Sequence, residues 1–324
     1  MQNDLIAPQI KPHQPGKVLL QRRAKDLFAQ RLFFLISLVP VLLFLAIIGA
    51  LLVKSWPILQ VQNLWQLLSG TVWQPLKGAF GFLPFIAGTM WVTLVSLVLA
   101  VPPCLLTAIY LAEYAHRRTR DVSKPVLDLL AAIPSVVYGV WGVLAIVPLV
   151  RGIGPYVDRV FGFIPFFKDN NPTGFSILAG GVVLAVMVAP FIIAVTFEVL
   201  RTVPDGVREA SLAMGATRWQ TTRHAVLPHT RSGIIAGIVL GMSRSLGETM
   251  AVLMVVGNVA KMPSSIFDPA YPLPALIANN YGEMMSIPLY DSALLTAALI
   301  LLVIVLFFNI ISTLILRRIT GELR

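Results

Sequence analysis

Residues 233–257 read "GIIAGIVLGMSRSLGETMAVLMVVG". The run is long enough to cross the roughly 30 Å hydrocarbon core of a bilayer as a helix. Yet it carries Arg244 and Glu248, four residues apart near its middle. A charge placed there costs about 2.5–3.5 kcal/mol on insertion scales, so an intramembrane arginine needs a reason. At 100° per residue, Gly233, Gly237, Gly241, Arg244 and Glu248 share one face, within an arc of roughly 80°. The glycines form a repeated G-x-x-x-G pattern that lets a second helix approach closely. Arg244 and Glu248 continue that stripe, which points them into protein or a wet cavity and away from lipid. Glu248 one turn on offsets part of the charge, although Arg before Glu is the weaker order for such a pair.

The rest of the chain places this segment among others of its kind. Hydrophobic residues make up 57% of the 324 and charged residues 12%, about half the charged share of a soluble domain. Mean hydropathy is +0.81. Apolar runs at about 32–53, 84–112, 126–150, 175–200, 232–257 and 291–316 predict six membrane helices. The runs are continuous and not alternating, which argues against a membrane β-barrel. The class expected is an all-α polytopic bundle.

The net charge of +10 is a topology signal. Of the 25 Lys and Arg, eighteen fall on the segments that share a side with both termini, six on the other side, and Arg244 lies inside. The positive-inside rule then puts both termini in the cytoplasm, with the basic segments against anionic lipid. No nucleic-acid partner is implied. The lone Cys104 excludes an internal disulfide and a cysteine metal site, and its apolar surroundings read as helix packing. The first apolar run starts late, is long, and lacks an A-x-A site, so it reads as a retained helix and not a signal peptide.

Four divisions follow: a flexible basic tail at 1–30, a first helix and outer loop at 31–83, a core of five helices at 84–318, and a short end at 319–324. Trp56, Trp65 and Trp73 in the first outer loop read as an interfacial belt. Pro102, Pro103 and Pro134 are expected to kink the second and third spans. On the third, Ser135 and Tyr138 either line a path or make buried hydrogen bonds to a neighbour. No Walker phosphate loop and no metal-ligand cluster occurs, so neither nucleotide nor metal is assigned to this chain.

Between the fourth and fifth spans, 201–231 carries "RTVPDGVREASLAMGATRWQTTRHAVLPHTR" on the cytoplasmic side. Pro204 and Asp205 predict a helix start, Gly215 a break, and Pro228 the end of a second short helix. A small apolar face rimmed by charge fits either a protein dock or a helix lying on the bilayer.

This loop resembles the EAA loop of ABC-importer permeases, E-A-A-x3-G-x9-I-x-L-P. Glu209, Ala210, Gly215, Leu227 and Pro228 match, while Ser211 and Ala225 depart from the pattern. With "AAIPSVVYGVWG" (131–142), "RSLGETMAV" (244–252) and the six spans, the chain resembles the phosphate-importer permeases of the PstC type from about residue 30 onward. The resemblance implies the type I, MetI-like permease fold and a loop that docks on an ATP-hydrolysing subunit. It also implies a second, PstA-like permease, two ATP-binding subunits that hold ATP and Mg, and an external phosphate-binding protein. This chain would bind no cofactor and would not itself be an enzyme.

Two readings of the intramembrane pair then stand: it locks helices together, or Arg244 offers its planar fork to an oxyanion in transit while Glu248 holds the arginine in place. Other oxyanions such as sulfate or molybdate, a self-sufficient transporter or channel, and a structural or signalling subunit are the alternatives.

Overall fold

The computed structural model describes residues 17–282 and 287–321. The expected tail therefore falls partly outside the described residues, as does the expected end at 319–324. Contacts divide the chain into two units, Met1–Val53 and Lys54–Arg324. The first unit holds most of helix α1 (Lys17–Val61), whose described side chains are almost all exposed and apolar from Leu32 onward.

Within the second unit, α2 (Leu64–Ser69) leads into a two-residue hairpin of β1 (Trp73–Gln74) and β2 (Ala79–Phe80), turned by Gly78 at φ 69°. Antiparallel pairing sets Trp73 opposite Phe80. Trp73 packs its ring 4.9 Å from that of Phe85, in a cluster with Phe80, Phe82 and Tyr290. Trp56 and Trp65 are exposed, but Trp73 is half-buried, so the expected belt keeps only two of its three members.

The bundle proper is built on α3 (Leu83–Ile109) and α7 (Ile177–Arg201). Helix α3 runs through Pro102 and Pro103 without ending and finishes in a π-helical turn, Tyr110–Tyr114. Helix α4 (Arg117–Ala132) follows, then a break at Ile133 and Pro134. Next come α5 (Ser135–Trp141), a π-helical turn (Gly142–Ile146) and α6 (Val147–Phe161). The third run long and apolar enough to span is thus Ser135–Phe161 and not 126–150. The proline disfavours helical backbone at the residue before it. Ile133 accordingly sits at φ −63°, ψ 128°, so Pro134 separates two helices instead of kinking one.

Helices α8 (Asp205–Ala213) and α9 (Arg218–Thr221) form the 201–231 loop. A third π-helical turn, Thr222–Val226, joins α9 to α10 (Leu227–Gly247). Pro228 therefore does not end a helix; it sits in the first turn of α10. Proline cannot donate to, and clashes with, the carbonyl four residues back. The wide turn just ahead of Pro228 relieves that conflict, and the one ahead of Pro148 does the same. After α10 come α11 (Met250–Val255), α12 (Leu273–Asn280) and α13 (Tyr290–Gly321). Among the described residues six helices are long and apolar enough to cross a membrane.

Close approach holds the bundle together. A methyl group on Gly180 would come 2.5 Å from Val256 Cγ2, and one on Gly181 would come 2.4 Å from Val95 Cγ1 of α3. On α10, Gly233 faces Val199, Gly237 faces Val195 and Thr196, and Gly241 faces Ile192. As the number rises on α10 it falls on α7, so the two helices run antiparallel along the glycine stripe. We expect Gly233→Ala, whose Cβ would lie 2.3 Å from Val199 Cγ1, to destabilise the purified chain by about 1–3 kcal/mol through overpacking. Thermal unfolding in detergent measures this, and adding Val199→Ala restores most of the loss.

Candidate functional site

The glycine stripe delivers α10 to Arg244. Three consecutive residues there point three ways. Ser243 Oγ donates to Asn309 Oδ1 of α13 at 2.9 Å, and Ser245 Oγ lies 3.4 Å from Ser96 Oγ of α3. Arg244 lies between them and is exposed. Its guanidinium carbon sits 4.0 Å from the centroid of the Phe191 ring, supplied by α7 next in line after Ile192. A guanidinium stacked on an aromatic face keeps its in-plane N–H groups available. Among the described residues none of the five is bonded to a protein acceptor.

Glu248 is not the partner of Arg244. Helix α10 ends at Gly247, and Glu248 takes extended backbone, φ −72° and ψ 130°. The i,i+4 geometry expected of one continuous helix over 232–257 is therefore lost. No ion pair joins the two among the described residues. Instead Glu248 Oε1 accepts from the Ala251 N–H at 3.3 Å, at the start of α11. The carboxylate also borders a small cleft with Thr89, Thr93 and Ser245.

Tyr138 is buried, and its hydroxyl donates to the Leu130 carbonyl at 2.8 Å, bridging the Pro134 break from α5 back to α4. Arg244 lies within electrostatic reach of that hydroxyl. Ser135 is half-buried in the first turn of α5. Next to Tyr138, Gly139 packs on α11, where a Cβ would come 2.6 Å from Met254 Sδ. Arg244 and Phe191 thus stand together, and Glu248 stands on the far side of a helix break.

The 201–231 loop is organised by local chemistry. Gly215, at φ +84°, takes the left-handed conformation that ends α8. Thr217 and Gln220 form a reciprocal capping box that starts α9. Ser211 Oγ lies 2.9 Å from Thr221 Oγ1, tying α8 to α9. Glu209, Ala210, Leu212 and Trp219 are exposed, and Met214 is 88% exposed. Leu227 and Pro228 open α10.

Two residues at these sites lay beyond sequence reasoning. Phe191 is one apolar residue in an apolar run, with nothing local to mark it. Arg208 reads as a rim charge on α8, but its side chain is only 18% exposed, and it meets Glu113, 9% exposed, at 2.8 Å. That hydrogen bond, with the charges of Glu113 and Asp205, raises Arg208 above the usual guanidinium range, against the opposing effect of burial. The partners are 95 residues apart in sequence, so no spacing rule pairs them.

Comparison with known proteins gives a consistent context. The family described as binding-protein-dependent transport system inner membrane component matches residues 104–321. The phosphate transport system permease protein PstC of Xylella fastidiosa is 36% identical, over 86% of this chain and 87% of that protein. The protein of the same name from Pasteurella multocida is 36% identical, over 93% of this chain and 92% of its own. A chain of the bacterial alginate ABC transporter, solved with an alginate pentasaccharide-bound periplasmic protein, shares the fold. It superposes with a TM-score of 0.61 at 20% identity, covering 91% of this chain and 97% of that one.

Double-mutant cycles separate the two possible partners of Arg244. Unfolding of detergent-solubilised protein is expected to give a coupling of about 0.5–2 kcal/mol for Phe191→Leu with Arg244→Gln. Arg244→Gln with Glu248→Gln, which share no partner, should be additive within about 0.5 kcal/mol.

Proposed function

Because this chain belongs to the binding-protein-dependent transport system inner membrane components, we propose that it is the membrane-spanning permease subunit of an ATP-driven importer of inorganic phosphate. It acts as a transport subunit and not as an enzyme. ATP and Mg are held by two separate ATP-binding subunits, which dock on the 201–231 loop. A second, PstA-like permease completes the pathway, and an external binding protein delivers phosphate. The protein is placed in the bacterial cytoplasmic membrane with both termini inside, a reading that its charge asymmetry supports.

Arg244 is the observation that carries the reading. It is exposed, stacked by one face on Phe191, and among the described residues gives no N–H to a protein acceptor. Guanidinium geometry matches a tetrahedral oxyanion in bidentate fashion. Arg244 is exposed among the described residues, and the proposed pathway runs past the edge of its fork, against the second permease. Phe191 holds the plane of the fork without neutralising its charge. A carboxylate in contact would compete with the incoming anion; an aromatic ring does not. Tyr138, with its hydroxyl given to Leu130, supports the wall at this level, and Ser135 adds a polar group one turn earlier. Glu248 acts one step removed, fixing the break between α10 and α11.

Uptake of labelled phosphate, with labelled sulfate in parallel, tests the function in cells that lack this chain. The native chain is expected to restore phosphate uptake alone. Arg244→Gln at equal abundance is expected to lower it at least about tenfold, the loss that goes with one charge-assisted hydrogen bond to an ionised ligand. Restored sulfate uptake would move the substrate to another oxyanion. Uptake independent of the ATP-binding subunits would replace the importer by a self-sufficient transporter.

A further inference from the structure

Arg208 is the opposite of Arg244: every N–H group it has is used. Nε donates to both carboxylate oxygens of Glu113, at 3.3 and 3.2 Å. One terminal nitrogen donates to Glu113 Oε1 at 2.8 Å and to the Leu200 carbonyl at 2.9 Å. The other donates to the Val203 carbonyl at 2.6 Å and to Asp205 Oδ1 at 3.4 Å. One side chain on α8 therefore grips the turn that ends α3, through Glu113, and the end of α7, through the Leu200 carbonyl and that of Val203 just beyond it. Cations at a helix C-terminus are favoured there by the carbonyls left without partners.

The surroundings make this grip stiff. Glu113 sits in the π-helical turn Tyr110–Tyr114, which Arg120 of α4 also holds, donating to the carbonyls of Leu111 and Ala112, each at 2.7 Å. Beneath the ion pair Val207 packs on a buried apolar cluster that includes Leu111, Leu200, Val203 and Val226. Apolar contacts resist separation but allow sliding. A planar, fully bonded guanidinium fixes both distance and orientation. The same α7 carries Phe191 nine residues before Leu200, about 14 Å along the helix axis.

We propose that the Arg208–Glu113 pair is the joint that converts displacement of the docking loop into displacement of α3 and α7, and so of Phe191 beneath Arg244. Arg208 is a positioning residue: it touches neither phosphate nor ATP and acts through the helices that it grips. Loosening the joint uncouples the machine. The loop still answers the nucleotide state of the docked subunits, but the helices that line the pathway no longer follow. This inference rests on the reading of 201–231 as the docking loop.

The test uses the complete transporter, both permeases with the ATP-binding subunits, reconstituted in liposomes with the phosphate-binding protein. ATP hydrolysed and labelled phosphate transported are measured together for the native chain, Glu113→Gln, Arg208→Lys and, as a control, Lys124→Gln. Lys124 pairs with Glu198 at 2.7 Å on the exposed flank of α4 and α7, outside the joint. The joint predicts that phosphate moved per ATP falls by about fivefold or more in Glu113→Gln and Arg208→Lys, the lower end of coupling between linked sites. Hydrolysis itself stays within about twofold of native, and the control leaves both rates unchanged. An unchanged ratio in both variants would overturn the proposal. So would hydrolysis and transport falling together at constant ratio, which would make the pair a contact for engaging the ATP-binding subunits. Failure of both variants to assemble would make it an assembly contact and would also overturn the proposal. If the native complex moves sulfate and not phosphate, the substrate assignment fails, and the same ratio is scored with sulfate.

Discussion

Close approach between helices is the constraint on which the rest of the molecule depends. In a membrane, apolar side chains gain little by leaving lipid for protein, so packing must come from surfaces that fit. Here the fit is made by glycines on α7 and α10 that accept valine and isoleucine side chains from neighbouring helices. The same stripe sets where α10 stands along α7, and therefore which ring lies under Arg244. Shifting α10 by one turn would set the guanidinium against a different part of α7 and lose the aromatic face. A packing interaction thus sets the electrostatics of the site.

Two arginines show the same side chain in opposite settings. Arg244 is exposed and stacked, with its donors unbonded among the described residues. Arg208 is largely buried, with its donors distributed over a carboxylate pair and helix-end carbonyls. The first suits transient binding, because an anion that must leave cannot be matched by a closed set of partners. The second suits transmission of movement, because a satisfied buried ion pair is costly to break from one side. Helix α7 connects them, with Phe191 near its middle and the Leu200 carbonyl near its end.

A π-helical turn explains why Pro228 opens a helix where the sequence suggested an end. Two of the three such turns lie just ahead of Pro148 and Pro228, where an ordinary helix would meet the proline ring. Widening the turn by one residue keeps the backbone bonded where a break would expose polar groups to lipid. From sequence, Pro228 looks like a stop; in the fold it lies inside a run that is helical from Arg218 to Gly247. Pro134 shows the converse. It was expected to bend a helix, and it separates two, with Tyr138 reaching back to Leu130 across the gap.

Residue type and period were enough to establish an all-α chain with six apolar helices, a glycine stripe on the fifth, and a break in the loop at Gly215. Those features are local: hydropathy, the 100° turn of a helix, and the left-handed backbone that glycine tolerates are properties of a few neighbouring residues. The partners of the charged groups were decided only by tertiary structure. Glu248 looked like the mate of Arg244 because a straight helix would align them, but the extended backbone after Gly247 sends the carboxylate to α11. Phe191 and Glu113 took the places beside Arg244 and Arg208 from 53 and 95 residues away along the chain. A charge in a low-dielectric interior takes whatever partner the packing brings to it, and that partner is fixed by how the helices cross and not by sequence spacing.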